Sequence, residues 1–252
     1  MNQNIIDLYE PLNIPKAIDE DIWIVDGPIV RMAMYGTHIP FPTRMTIIRL
    51  KNNELWCHSP IELVPELKAK IDALGSVHHL ISPNKIHYAH ISSWAKAYPE
   101  AIAWASPGVV ERAAQQKIEV TFNAFLDDEA PIDWSEDISQ LVFRGSRFMD
   151  EVVFFHRKSS TVILADLIEN FELNKVSKKL HLLMKLAGCA APNGKAPLDL
   201  RTTFWGRKNQ GRACLQKMLK WGAEKIILSH GKCYKENANA ELIRAFAWLG
   251  KD

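Results

Sequence analysis

Histidine and carboxylate side chains that could bind a metal or transfer protons follow several apolar runs in this chain. His87 and His90 lie in residues 80–90, LISPNKIHYAH, three positions apart, a spacing that on a helix places both side chains on one face. Asp166 comes directly after the apolar run VILA, and His230 follows the run IIL and one serine. Because imidazole and carboxylate groups bind zinc and also exchange protons, these residues indicate a metal site or an acid–base site.

Four basic residues form a second candidate group: Lys85, Arg44, Arg144 and Arg147. If their loops meet at one sheet edge, they would form a cationic cup that suits a carboxylate or a phosphate. Solvated surface charge is the other interpretation of each of them, and Lys85 could also form a purely structural ion pair with Asp166. The sequence contains no glycine-rich phosphate loop, G-x-S-x-G turn or kinase motif.

The first half of the chain predicts strands and then an alternation of strands and helices. Short β-favouring runs separated by turn residues occupy residues 22–25, 45–50, 55–57, 79–82 and 102–104. Apolar residues recur every three or four positions from Val64 to Leu74, and Gly75 is placed to end this helix. Ser106 and Pro107 predict the start of a helix over residues 108–116. This alternation implies largely parallel strand pairing.

The second half predicts a second group of strands and then more helices. Strands are expected at residues 141–143, 152–155, 161–164 and 225–228, the second and third pairing antiparallel across the RKSS turn. Helices are expected at residues 171–186 and 209–221 and at the C-terminus, where Leu242, Phe246 and Leu249 recur before Gly250. Two strand groups with helices between and after them favour an α/β (α+β) sandwich of two sheets, in one domain over residues 1–252 with its core at about 20–250.

Composition and charge limit the classes of partner that we expect. The chain has 252 residues, 47% of them hydrophobic, and a formal net charge of +2. Because this charge is small, we expect neither a nucleic acid nor a membrane as partner. The four cysteines form no C-x-x-C pair, so they indicate reduced thiols rather than a zinc ribbon or redox motif. Neither a signal-peptide pattern nor a membrane-length apolar run is present, so a cytoplasmic location is expected.

Four segments in fixed order resemble the metallo-β-lactamase superfamily, specifically an uncharacterised branch that has lost most metal ligands. They are residues 55–58 (LWCH), 80–88 (LISPNKIHY), 163–166 (ILAD) and 227–231 (ILSHG). The resemblance implies a four-layer αββα sandwich whose site lies at the loop ends where the two sheets meet. It also favours a hydrolase-like enzyme, because the superfamily is mostly enzymatic.

The resemblance assigns positions to the family's T-H-x-H-x-D-H motif, which binds two metals that activate water. Pro83 and Lys85 stand at the first two histidine positions, His87 at the aspartate and Tyr88 at the last histidine. Proline cannot ligate and an ammonium group repels a cation, so the usual first metal site should be absent. Later, Arg147 stands near the family's next histidine, whereas Asp166 and His230 match its bridging aspartate and final histidine.

Three functions remain open at this stage. The first is a hydrolase-like enzyme in which Asp166 and His230, with His87 or His90, bind one zinc, iron or manganese ion beside a small anionic substrate. The second is a non-catalytic protein in which Lys85 and the arginines replace the metals and bind the anion. The third is metal-free acid–base catalysis by His87, Tyr88 and Asp166. His58, after its strand and before SP, would line the same rim as a substrate contact or start a helix.

Overall fold

Two β-sheets packed face to face form the centre of the protein. The computed structural model describes residues 6–34 and 37–250, and the strands that it describes there form a seven-stranded and a four-stranded sheet. The first sheet has strands β1 Lys16–Asp19, β2 Ile22–Met34, β3 Thr37–Arg49, β4 Glu54–His58, β5 Ser76–Ser82, β6 Ile102–Ala105 and β7 Ala124–Phe125, in that spatial order. The second has β8 Ile138–Phe143, β9 Glu151–His156, β10 Thr161–Leu164 and β11 Lys225–Leu228, in the order β11-β10-β9-β8.

Strand direction changes within each sheet, as the alternation of strands and helices implied. β1 to β4 pair antiparallel, whereas β4, β5, β6 and β7 are all parallel neighbours. In the second sheet β8, β9 and β10 pair antiparallel, which confirms the hairpin expected across residues 157–160, and β10 pairs parallel with β11. The parallel pairs bring the carboxyl ends of β4, β5, β10 and β11 to positions where loops can carry functional residues.

Helices cover the outer face of each sheet. In chain order they are α1 Pro65–Leu74, α2 Ile91–Ala97, α3 Val109–Gln115, α4 His181–Ala187, α5 Leu198–Thr202, α6 Lys208–Leu219 and α7 Ala238–Ala245. Short 3-10 turns occupy Leu173–Lys175, Lys178–Leu180 and Ala247–Leu249. In the described part of the chain, no helix combines the length and the apolar composition that crossing a bilayer requires.

Three apolar layers account for the αββα order, which confirms the expected fold. One buried cluster joins the two sheets, with Trp56 and Trp104 facing Trp134 and Phe154. A second packs the first sheet against α1, α2 and α3, and a third packs the second sheet against α5, α6 and α7. Every residue of β9 is buried because its alternate side chains point into two different clusters.

Two helix predictions differ from the structure. The helix expected over residues 171–186 forms only as α4, since Phe171 pairs with Ala190 and Val176 pairs with Ile6 in strand-like bridges. These tertiary pairings override the helical spacing of the apolar residues. The helix after Ser106 begins at Val109, and its N-cap is Gly108 in the left-handed region (φ 79°) rather than the serine.

Candidate metal centre

Three candidate ligands converge at the edge where the carboxyl ends of both sheets' parallel strands meet. His87 lies in the loop after β5, Asp166 is the second residue after β10, and His230 is the second residue after β11. His87 Nε2 lies 3.1 Å from Asp166 Oδ2, and His230 Nε2 lies 3.3 Å from Asp166 Oδ1. One ligand atom from each residue lies within 4.8 Å of the others, so the three could hold one metal ion.

Each histidine ring is oriented through its other nitrogen. His230 Nδ1 lies 3.0 Å from the carbonyl oxygen of Pro42, on β3, and His87 Nδ1 lies 2.6 Å from Ser59 Oγ. A carbonyl oxygen only accepts hydrogen bonds, so His230 Nδ1 carries the proton. With Nε2 unprotonated, the ring would direct a lone pair at a carboxylate oxygen, and two acceptors this close require a proton or a cation between them.

His87 supplies a second observation of the same kind. Its Nε2 is close enough to Asp166 for an ion pair, yet the geometry does not satisfy a hydrogen bond, and the buried nitrogen has no hydrogen-bond partner. A buried polar atom without a partner costs free energy, which a bound ion would relieve. The donor set of two imidazoles and a carboxylate therefore fits a divalent metal.

A buried polar network fixes the position of Asp166. Asn84 Nδ2 donates to Asp166 Oδ2 at 2.7 Å and to Glu151 Oε2 at 3.1 Å. Glu151, at the start of β9, accepts the backbone N–H groups of Ala165 and Asp166, both at 2.8 Å. The amide of Asn84 thus separates two carboxylates and supplies a hydrogen bond to each, so the carboxylate of Asp166 is held toward the two histidines.

The two carboxylates respond differently to burial. Burial by itself would raise the pKa of Asp166, but the charge of His87 and the close contacts of both histidine rings with the carboxylate outweigh it and lower that pKa. Burial, and then the charge of Asp166, raise the pKa of Glu151 to about 7. Asp166 is therefore the carboxylate that stays ionised and can bind a metal. Glu151 holds Asp166 in place by accepting its backbone N–H.

Two tight turns orient the side chains of His87 and its partner Ser59. Ser59 follows β4 in the left-handed region (φ 53°), and its N–H donates to Ile81 on β5. In the next loop the N–H of His87 donates to the carbonyl of Asn84, and the N–H of Ile86 donates to Asn84 Oδ1. Asn84 therefore both closes the turn that carries His87 and contacts Asp166, so it couples two of the three candidate ligands.

Arg44, predicted as a substrate contact, lines the cavity beside His87 and His230 but is held by the protein itself. This side chain is 4% exposed, and its guanidinium pairs with Asp26 at 2.7 Å. Its Nη1 also donates to the carbonyls of Leu228 at 2.7 Å and Gly231 at 2.6 Å. Because these contacts use its donors, Arg44 binds the turn that carries His230 and is not free to bind a ligand.

Unlike Arg44, the remaining predicted cations lie away from the three ligands. Lys85 Nζ lies 4.2 Å from the centre of the Phe148 ring, so it neither pairs with Asp166 nor fills the space beside His230. Lys85 and Arg147 line a separate cavity together with Arg112. Arg144 donates to both carboxylate oxygens of Asp128 at 2.7 Å. The turn closed by the His87 N–H and the Asn84 carbonyl directs Lys85 and His87, two positions apart, to different sides.

The other predicted site residues surround the centre without joining it. His58 is 1% exposed and packs against the rings of Trp56 and Phe154, so its side chain is buried rather than presented to a substrate as expected. His90 precedes α2 and is outside the group of three ligands, which contradicts its suggested role in metal binding. Tyr88 is nearly buried, and burial raises the pKa of its hydroxyl, which stays protonated at neutral pH.

A small cavity of about 50 Å³ opens beside His87 and His230. Its wall is largely apolar, with Val30 from β2, Phe41 from β3 and Ile86 from the loop after β5. Phe41 also packs on the His230 ring, with the two ring centres 5.6 Å apart. A water molecule occupies roughly 30 Å³ in the liquid, so this space holds one or two waters.

Several supporting residues were missed from sequence. Asn84, Glu151 and Ser59 contact the candidate ligands, and Glu169 is buried near His230, with its pKa raised to about 7 by burial. Asn84 lies inside the segment that was singled out, and an acid at the start of an apolar strand was a usable signal for Glu151. Nothing in the local sequence distinguishes Ser59 or Glu169, whose roles depend on tertiary contacts.

Comparisons with known proteins identify the fold and a family. A protein-family profile described as "Domain of unknown function (DUF4336)" matches residues 20–185. No curated protein sequence matches this chain.

Solved structures of metallo-β-lactamases superpose over nearly the whole chain. The DIM-1 metallo-β-lactamase matches with a TM-score of 0.64 and 14% identity, covering 98% of each chain. The FIM-1 metallo-β-lactamase from Pseudomonas aeruginosa, in its mono-zinc form, matches with a TM-score of 0.61 and 16% identity, covering 98% of this chain and 96% of that one. The metallo-β-lactamase from Pontibacter korlensis gives 0.60 and 14%, covering 98% and 100%. The αββα architecture is therefore the metallo-β-lactamase fold.

Proposed function

The chain belongs to the DUF4336 family and has the metallo-β-lactamase fold, and from these premises we propose that it is a hydrolase that uses one metal ion held by His87, Asp166 and His230. The observation that carries the proposal is the contact of His230 Nε2 with Asp166 Oδ1 at 3.3 Å, since Nδ1 of that ring already donates to Pro42. Either a second proton on the ring or a bound cation must lie between these two atoms, and we propose the cation.

The ligand types limit the metal and its chemistry. Two imidazoles and one carboxylate suit zinc, and also iron(II) or manganese, and three protein ligands leave a position for water or substrate. The chemistry that such an ion supplies is a lowered pKa of bound water and polarisation of a substrate oxygen. The FIM-1 structure is a mono-zinc form on the same fold, which supports a proposal with a single ion.

The residues of the chain itself orient the site. Ser59 and the carbonyl of Pro42 hold the two imidazole rings, and Asn84 with Glu151 holds the Asp166 carboxylate. Outer partners of this kind fix the ring orientation and raise the basicity of ligands. The apolar cavity wall excludes bulk water, which strengthens electrostatic interactions with the reacting group.

The cavity holds roughly one or two waters, so we propose a small substrate that brings only its hydrolysable group to the metal. The cavity wall in the described part of the chain has one arginine, Arg44, and its charge is already paired with Asp26. We therefore propose that a negatively charged substrate group interacts mainly with the metal rather than with a cluster of basic side chains. The alternative of a metal-free anion-binding protein required Lys85 beside Asp166, and Lys85 instead packs over Phe148.

Metal content tests the proposal directly. Protein purified without a histidine tag and incubated with zinc, iron(II) or manganese under reducing conditions should retain close to one equivalent of one of them after desalting, measured by elemental analysis. Asp166→Ala and His230→Ala should lose at least about tenfold in metal affinity, because each removes one of three ligands.

The matched control is His78→Ala, since this ring is 40% exposed and lies outside the group of ligands. This variant should retain the wild-type metal content. Metal below roughly a tenth of an equivalent in the wild type, unrestored by added metal, would refute the metal site and favour acid–base chemistry at His87 and Asp166. Equal metal content in wild type and Asp166→Ala would show that the ion binds elsewhere.

A further inference from the structure

Helix α4 exposes a row of leucines to solvent. Leu182, Leu183 and Leu186 are 68%, 60% and 67% exposed, and Leu186 follows the adjacent pair by four and three positions along His181–Ala187. Residues at this spacing lie on one side of a helix and form a contiguous surface. We refer to these three side chains as the leucine face. Exposed apolar side chains that cluster in this way mark an interaction surface more often than scattered ones do.

The leucine face is not the side on which the helix packs. Leu180, Met184 and Ala187 pack against a buried cluster that contains Phe171 and Cys189. The helix is therefore already attached to the protein through one apolar stripe, and its opposite side should be polar if water were its only neighbour. Leucine on both sides indicates that a second apolar environment covers the exposed side.

Exposed lysines lie on and next to α4 in a stretch of sequence without acidic residues. Residues 173–198, between Glu172 and Asp199, contain five lysines and neither aspartate nor glutamate, a local charge of +5 with histidine neutral, although the whole chain carries only +2. The lysines are Lys175, Lys178, Lys179, Lys185 and Lys195. Lys178, Lys179 and Lys185 are exposed on or next to α4 itself. Apolar side chains flanked by lysines are the composition of helices that lie in the surface of an anionic bilayer.

The helix is held in place before any partner arrives. Arg201 on α5 donates from Nη2 to the carbonyl of Ala187 at 2.9 Å, and the N–H of Cys189 donates to Met184. A surface that is already folded loses little conformational freedom when it binds. The leucine face is therefore a preorganised surface.

We propose that the leucine face and its lysines dock this protein on an anionic lipid surface. The lysines interact with the headgroups, and the three leucines enter the boundary between headgroups and acyl chains. A second copy of the chain is a poorer occupant, because pairing the same faces would bring two +5 segments together. This proposal replaces the expectation of no membrane partner, which used the net charge of the whole chain, and it is independent of the metal site.

Vesicle flotation tests the apolar part of the proposal. The full chain should float with vesicles of phosphatidylcholine and phosphatidylglycerol in equal amounts and not with phosphatidylcholine alone. The triple variant Leu182→Ser, Leu183→Ser, Leu186→Ser should lose about tenfold or more in vesicle affinity, since burial of even one leucine accounts for that factor. The double variant Ile132→Ser, Ile243→Ser, which removes aliphatic residues that are 87% and 57% exposed elsewhere, should bind as the wild type does.

A matched pair of lysine variants tests the charge. Lys178→Ser, Lys179→Ser, Lys185→Ser should weaken binding to the anionic vesicles, and high salt should weaken the wild type in the same way. Lys70→Ser, Lys96→Ser, Lys117→Ser changes the net charge equally at exposed positions away from α4 and should bind normally. Thermal unfolding should show that all variants are folded.

Three results would overturn the proposal. The first is a wild type that does not float with anionic vesicles. The second is equal binding by the leucine variant and the wild type. The third is a dimer in size-exclusion chromatography that the leucine variant converts to a monomer, which would assign the face to self-association. Binding to an acidic protein without binding to vesicles would likewise replace the lipid by a protein partner.

Discussion

At the scale of single residues, the hydrogen-bond partner of each ring determines what a histidine at this edge can do. His230 and His87 each have one ring nitrogen held by Pro42 or Ser59, which leaves Nε2 directed at Asp166. His58 is buried near them with no hydrogen-bond partner at either nitrogen. The first two can ligate a metal, whereas His58 behaves as a buried neutral ring.

The buried ring of His58 should make the protein acid-sensitive. Burial, and next the charge of His87, lower the pKa of His58 to about 3, whereas the unfolded chain protonates histidine near pH 6.5. Its contribution to the free energy of unfolding is therefore complete above about pH 6.5 and is lost as the pH falls toward 3. Between pH 6.5 and 5 the loss amounts to roughly 2 kcal/mol.

The variant His58→Phe should lack this loss, and it should be more stable than the wild type at pH 5. Urea unfolding of both proteins at pH 7.5 and pH 5 measures the difference. A difference between proteins is needed because Glu151 and Glu169, whose pKa values are raised to about 7, change stability in the opposite direction as the pH falls. His58→Leu checks for overpacking, and identical pH dependence in all three proteins would contradict the assignment.

At the scale of elements, the loop after β11 is positioned by close backbone contact. Gly231 has φ 90°, and a Cβ at this position would lie 2.3 Å from the carbonyl oxygen of Asn170. The N–H of Asn170 donates to His230, and the N–H of Lys232 donates back to Asn170. Arg44 also binds carbonyl groups on both sides of His230. Together these contacts fix the position of His230.

Gly231→Ala should therefore displace His230 as well as strain the backbone. Gly222 is the matched control because it also has positive φ (68°) but has nothing within 4 Å of the added Cβ. Gly222→Ala should cost about 1 kcal/mol of stability, and Gly231→Ala should cost more than about 2 kcal/mol. Urea unfolding compares the two, and elemental analysis should show a loss of metal only for Gly231→Ala. Equal costs would mean that the Asn170 contact is not rigid.

At the scale of the whole molecule, the candidate centre joins the two sheets. His87 comes from the loop after β5 in the first sheet, whereas Asp166 and His230 follow β10 and β11 in the second. Pro42 on β3 and Arg44 add contacts from the first sheet to the second. A metal at this point would therefore connect the sheets, and its binding should be measurable as stability of the whole fold.

Metal removal should lower the melting temperature. At a free metal concentration of about 100 times the dissociation constant, binding stabilises the native state by about 2.7 kcal/mol. For a chain of this length that corresponds to roughly 5–10 °C. Differential scanning fluorimetry with metal and with chelator should show this shift in the wild type and not in Asp166→Ala. A shift of the same size in Asp166→Ala would exclude the proposed site.

The sequence by itself determined the elements and their order. Period-two and helical spacings placed most strands and helices, and the resemblance to the metallo-β-lactamase superfamily singled out Asp166 and His230 at their strand ends. The segment around His87 was also found, because apolar strands followed by polar residues are a local pattern. The resemblance to the metallo-β-lactamase superfamily added the fold, which the structure confirms.

Only the tertiary structure decided which side chains meet. Lys85 and His87 are two positions apart in sequence, yet one packs on Phe148 and the other faces Asp166. Arg44 was predicted to bind a ligand and instead binds the loop that carries His230. Local spacing specifies the direction of a side chain only within a regular element. Lys85 and His87 lie in a loop, and Arg44 and His230 have partners more than 180 positions away. The packing of the two sheets sets where those partners lie.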